Sequence, residues 1–184
     1  MTADTLVRQL KLRGGNKDAW DAREREILVE GPRGTGKTRT TIELAKIRQD
    51  KYDRLFWFCP VSLRETIYHE WRKHTDLPES AIKVWDEKVA SDNLPTSASV
   101  HIIGIESMSS SARVIFTYKA MVTAQSFVVV DESSYIKGHA SRRTQRITEL
   151  SAGTRYRLCL NGTPFTQGAV DLYAQMTFLS SKIL

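Results

Sequence analysis

Residues 31–38 read Gly-Pro-Arg-Gly-Thr-Gly-Lys-Thr, directly after the apolar run Ile27-Leu28-Val29 and before a helix-forming stretch. The spacing G-x-x-x-x-G-K-[ST] between a strand and a helix is that of a phosphate-binding loop. Glycines at 31, 34 and 36 let the backbone enter the left-handed region, so that successive N–H groups can turn into one concavity. The helix that follows adds the positive end of its dipole, and Lys37 adds a full charge. Thr38 stands where its hydroxyl can complete the shell of a Mg²⁺ ion. A chain with this loop is constrained to an α/β layout in which the first strand delivers its carboxyl end to a triphosphate.

The remaining composition fits that constraint. With 184 residues, 41% hydrophobic and 26% charged, the chain is sized for one domain with a real core. No apolar run approaches the ~20 residues of a membrane span, and the N-terminal MTADTLVRQLKLRGG lacks the apolar core of a secretory leader. Cys59 and Cys159 form no C-x-x-C and have no histidine at ligand spacing, which speaks against zinc and for a reducing, cytoplasmic setting (host cytoplasm for a viral protein). The net charge of +6 is compatible with a polyanionic partner without requiring one.

Strand-like runs at 27–30, 55–59, 82–85, 100–105, 126–130 and 156–160 alternate with helix-like stretches at 37–50, 62–75, 108–123, 141–151 and 168–179. The strands are continuously β-branched or aromatic, as in a parallel sheet covered on both faces. This predicts a three-layer α/β domain whose ligands bind beyond the strands' carboxyl ends. Residues 86–99 read as a surface loop, and residues 1–24 as a helical extension broken at Gly14-Gly15.

Two further blocks carry chemistry. Phe127-Val128-Val129-Val130 ends in Asp131-Glu132, and an acidic pair at the end of a buried strand needs a partner for its charge. In a phosphate-loop domain Asp131 holds Mg²⁺, and Glu132 is placed to polarise the water that attacks the γ-phosphate. The second block, Leu160-Asn161-Gly162-Thr163-Pro164, again follows an apolar run and is small and polar enough to pass close to phosphates. Trp57, Phe58, Trp71 and Tyr173 fall within strand or helix patterns and are read as core packing rather than base stacking.

Together these blocks resemble the first, N-terminal RecA-like lobe of a superfamily 2 helicase of the SWI/SNF-like branch, viral and phage members included. The resemblance covers roughly residues 27–180. It is carried most strongly by Val130-Asp131-Glu132-Ser133-Ser134-Tyr135-Ile136-Lys137 and the basic helix from Ser141 to Arg146. Arg155 to Pro164 and the trailing Asp171-Leu172-Tyr173 extend it. Cys59-Pro60-Val61-Ser62-Leu63 with Glu70-Trp71, and Ile105-Glu106-Ser107, are similar to that family's segments along the nucleic-acid path. The resemblance implies a RecA-like ATP-binding domain over 25–184, with ATP and Mg²⁺ as cofactors. It assigns Gly31, Gly34, Thr35, Gly36, Lys37, Thr38 and Asp131 to nucleotide, Thr38 and Asp131 to metal, and Lys37 and Glu132 to catalysis. Pro60, Ser62 and Ser107 would lie near DNA phosphates, and Thr163 would couple nucleotide state to the track. Backbone contacts imply sequence-nonspecific, salt-dependent binding, with duplex DNA as the expected polymer.

The departures are instructive. Arg33 inside the loop resembles viral DNA-packaging motors, where such an arginine can act as a finger in cis. Gln9 is the candidate for the upstream adenine-reading glutamine, at longer spacing than the family's. A helicase-type motor needs a second RecA-like lobe, in cis or in trans, to supply arginine fingers worth roughly 10³–10⁵ in turnover. The 184 residues by themselves are thus expected to be a nearly inactive ATPase. The alternatives are the ATPase domain of a DNA-packaging terminase and a non-catalytic nucleotide- or DNA-binding adaptor.

Overall fold

The computed structural model describes residues 7–11, 25–32, 34–162 and 169–180, with residues 7–11 and 169–171 as backbone alone. Its centre is a seven-stranded sheet of order β1-β2-β7-β6-β3-β5-β4, in which every pairing is parallel. The strands are β1 (Val7–Lys11), β2 (Glu26–Glu30), β3 (Leu55–Cys59), β4 (Ile82–Val84), β5 (Val100–Gly104), β6 (Phe127–Val130) and β7 (Tyr156–Asn161). The helices are α1 (Lys37–Ile47), α2 (Arg64–His74), α3 (Ser107–Ser110), α4 (Ala112–Met121), α5 (Arg142–Ser151) and α6 (Ala169–Leu179).

Strand alternation divides the core into two layers. Ile27, Val29, Leu55, Trp57, Phe127, Val129, Leu158 and Leu160 face one way and pack on Ile42 and Leu44 of α1 and on Ile67 and Trp71 of α2. Leu28, Phe56, Phe58, Val128, Val130 and Cys159 face the other way, onto Met108, Val114, Tyr118, Ile147 and Phe178 from α3 to α6. With apolar side chains on both faces, β2, β3, β5, β6 and β7 are buried along their whole length. That is why these strands read as mostly apolar runs rather than alternating ones, with His101 in β5 and Arg157 in β7 among the buried exceptions.

Two expectations need correction. Residues 7–11 form β1, not helix, and pair with β2 along Val7↔Glu26 to Lys11↔Glu30. The Val7–Leu10 spacing suits a helix face, but the exposed edge of β2 offers a full ladder of hydrogen bonds, and that non-local pairing overrides the local pattern. The rest of the 1–24 extension lies outside the described residues. The single helix expected over 108–123 is broken at Ser111, which turns extended and accepts the Val114 N–H on its Oγ at 3.3 Å as the cap of α4. Ser141 caps α5 in the same way, through the Thr144 amide at 3.3 Å.

Candidate active site

Because all strands run one way, the loops after β2, β7, β6, β3 and β5 leave from one rim of the sheet. The phosphate-type loop leaves β2 and is tied to its neighbour by the Gly31 N–H, which donates to the Asn161 carbonyl at 3.2 Å. Gly34 and Gly36 sit at φ +80 and +79, where a side chain would be strained. Thr35 closes the turn by donating its hydroxyl to the Pro32 carbonyl at 2.8 Å. Lys37 folds its ammonium across the loop, donating to the Gly31 and Pro32 carbonyls at 2.7 and 3.0 Å. Helix α1 then starts from Gly36 with no side-chain cap and no acid in its first turn, which leaves its positive end facing the loop. Thr38 is half-buried in that first turn. Arg33 lies outside the described residues, and Gln9 is placed on β1 by its backbone alone.

Asp131 and Glu132 leave β6, one strand beyond β7. Asp131 is 7% exposed; its Oδ1 accepts the Glu132 N–H at 2.9 Å and its Oδ2 accepts the Trp57 indole N–H at 3.3 Å. Burial raises its pKa to about 6, and the Glu132 charge adds to this. The Glu132 amide, the Trp57 indole and the Lys37 charge act in the opposite sense. The phosphate-type loop after β2 and the acidic pair after β6 leave the same rim of the sheet, separated by the single strand β7. A buried carboxylate held only by neutral donors suits a divalent cation. Among the described residues no cluster of three or more protein ligands forms a metal cage. Magnesium does not need one, because it is bound through one or two carboxylates together with substrate phosphates. The residues present fit Mg²⁺.

Glu132 has φ 50 and ψ 58, the single non-glycine positive φ among the described residues. Non-glycine residues in the left-handed region cost on the order of 1 kcal/mol and gather at functional sites. Its carboxylate lies beside Gly162 at the tip of β7, where a Cβ would stand 3.8 Å from both Oε atoms. The strand tip between loop and acids is thus bare. Thr163 lies outside the described residues. Next to Glu132, the buried Ser133 donates to Gln175 Oε1 of α6 at 2.8 Å, anchoring the acidic segment from beneath.

Further along the rim, Pro60 is buried and Ser62 exposed on the 3₁₀ turn Val61–Leu63, and Ser107 is half-buried at the start of α3. The two segments are joined by the Val61 N–H, which donates to Glu106 Oε2 at 3.0 Å. The basic helix is more structural than its sequence suggests. Arg146 donates to the Met108 and Ser109 carbonyls at 2.8 and 2.9 Å, and Arg143 to Ser109 Oγ at 3.1 Å. Trp57, Phe58 and Trp71 are core, as read from sequence, but Tyr173 is 47% exposed. It lies on the outer face of α6 with its ring edge-on to His139 at 6.1 Å. A cavity of about 570 Å³ opens at the opposite rim among Tyr52, Asp53, Trp71, Thr75 and Ser99, with no phosphate-loop residue in its lining.

The fold is that of a three-layer, RecA-like P-loop domain with a parallel central sheet. The family model described as SNF2-related domain matches residues 26–184, and the chain belongs to that family. A curated relative is the Caenorhabditis elegans homolog of SWI/SNF-related matrix-associated actin-dependent regulator of chromatin subfamily A-like protein 1. It is 26% identical over 165 residues, which is 88% of this chain and 22% of the relative, so the chain spans about a fifth of that protein. Among solved structures, the Sulfolobus solfataricus SWI2/SNF2 ATPase core in complex with dsDNA superposes with a TM-score of 0.71 at 22% identity, over 85% of this chain and 32% of that one. The UvsW helicase from bacteriophage T4 superposes at 0.63 and 18% identity, over 93% and 62%. No helix among the described residues is long and apolar enough to cross a membrane.

Proposed function

We propose that residues 25–184 form the ATP-binding lobe of a DNA-dependent ATPase of the SWI/SNF-like helicase branch, of phage type and acting in the cytoplasm. The observation that supports this reading is the shared rim, where the loop after β2 and the buried Asp131 after β6 flank the tip of β7, with the Glu132 carboxylate beside Gly162. The loop amides, the open end of α1 and Lys37 bind the triphosphate. Thr38 and Asp131 hold Mg²⁺, which when bound neutralises charge on the phosphate oxygens. Glu132 orients the attacking water and accepts its proton at the carboxylate. Pro60, Ser62 and Ser107 form the ledge for DNA phosphates, so binding is insensitive to sequence and weakens steeply with salt. Thr163 links the two regions. A second RecA-like lobe, in cis or in trans, completes the site, and turnover without it is minimal.

Calorimetry of ATP binding tests the core of the reading. Lys37→Ala should abolish binding seen with the wild type, and equal affinity of the two proteins would refute the phosphate-loop assignment. Fluorescence anisotropy with duplex DNA at rising salt tests the ledge, since a salt-independent affinity would exclude backbone contacts.

A further inference from the structure

We propose that Trp57 is a positioning residue for the metal-binding acid: its indole N–H holds Asp131 Oδ2 in the orientation that presents the carboxylate to a divalent cation. The inference rests on the reading of Asp131 given above. Trp57 is fully buried on β3, in register with Val129 of β6, and its indole donates to Oδ2 at 3.3 Å. The other oxygen takes the Glu132 amide at 2.9 Å, so each oxygen has one protein donor and its rotation is stopped. Trp71 of α2 packs edge-on against the same indole at 6.1 Å and 86°, a contact that a phenyl ring at position 71 can also make.

The chemistry of the donor matters. An indole N–H donates, cannot accept and carries no charge. A lysine or arginine in its place would also fix the carboxylate but would cancel the negative charge that draws in the cation. A neutral donor sets geometry and leaves the charge available. Packing alone needs only the apolar bulk of the ring at this buried position; the hydrogen bond to Oδ2 is what the N–H adds. Groups that hydrogen-bond a metal-ligating side chain typically contribute 10–100-fold to metal affinity.

The test is ADP binding by calorimetry with the full chain, with and without MgCl₂, for wild type, Trp57→Phe and Trp71→Phe. Trp57→Phe should weaken ADP binding about tenfold in Mg²⁺ and leave metal-free binding unchanged. Trp71→Phe removes the other indole of the packed pair, which does not touch Asp131, and should not create such a difference. As an independent readout, the four indole N–H resonances of ¹⁵N-labelled protein are assigned with single Trp→Phe variants. The Trp57 signal should move on adding Mg²⁺-ADP and in Asp131→Ala. If Trp57→Phe fails to fold, the other three variants assign Trp57 by elimination and the resonance test stands. A Trp57 signal unmoved by Asp131→Ala, or equal losses of ADP affinity with and without metal, would overturn the positioning role alone. A wild type whose ADP affinity ignores Mg²⁺ would overturn the proposed function together with it.

Discussion

Val61 occupies the space that a side chain at Gly104 would need: a Cβ on Gly104 would lie 2.5 Å from Val61 Cγ2. The glycine at the end of β5 thus lets the segment after β3 close over it, bringing Ser62 and Ser107 onto one ledge. Gly104→Ala should destabilise the protein by roughly 1–3 kcal/mol, lowering the melting temperature by several degrees. Val61 is β-branched and cannot swing aside cheaply. Adding Val61→Ala should therefore recover most of the loss, and a purely additive double mutant in thermal melts would contradict the contact.

Glu132 combines a catalytic assignment with an unfavourable backbone. Glu132→Gly should raise stability by up to about 1 kcal/mol, because glycine adopts the left-handed conformation without strain. It should also remove hydrolysis, assayed with DNA and the second lobe present. Glu132→Gln should bind ATP normally and turn over no faster than the glycine variant. A glutamine variant with wild-type turnover would show that the carboxylate is not the base.

His101 sets a pH dependence of stability. It is fully buried on β5, stacked on Phe56 at 5.0 Å, with its Nδ1 accepting the Trp85 indole N–H at 3.3 Å. Burial, with the Arg54 charge nearby, lowers its pKa from 6.5 to about 4. Between these values the unfolded chain binds a proton that the folded one refuses, so stability rises with pH. The contribution is complete above pH 6.5 and is lost as pH falls through 4, a span of about 3 kcal/mol. Denaturant titrations of wild type and His101→Phe should converge in slope above pH 6.5 and diverge below it.

Arg157 and Glu26 form a buried ion pair at 3.0 Å across β7 and β2. Removing one partner strands the other charge, so Arg157→Met should cost on the order of 3 kcal/mol. Glu26→Leu combined with Arg157→Met should recover much of this. ATP affinity, measured below the melting range, should be unchanged in the double variant.

What was legible in the chain was local. The loop over 31–38 and the pair Asp131-Glu132 announce themselves because their spacing is the chemistry, and the buried parallel strands announce themselves by mostly apolar runs. What was hidden depends on partners distant in sequence. Nothing near Trp57 marks it as a donor to Asp131, because that meeting requires β3 to lie beside β6. The link from Ser133 to Gln175 and the anchoring of Arg146 on the Met108 carbonyl are equally non-local. Strand β1 escapes a local reading for the same reason: five residues of mixed polarity take their form from the edge they join. Arg33 and Thr163 belong to segments outside the described residues, and their roles rest on motif alone.

The uniform strand direction has a last consequence. The residues proposed for nucleotide, metal and DNA lie at one pole of the domain, whereas the Glu26–Arg157 pair and the hydroxyl cluster of Thr123 and Ser126 around Asp53 occupy the other. The ion pair and the hydroxyl cluster are thus fastenings remote from the proposed chemistry. Random substitutions ought to sort into two populations with little overlap, one that melts early yet still grips its ligand and one that stands firm but has forgotten how to use it.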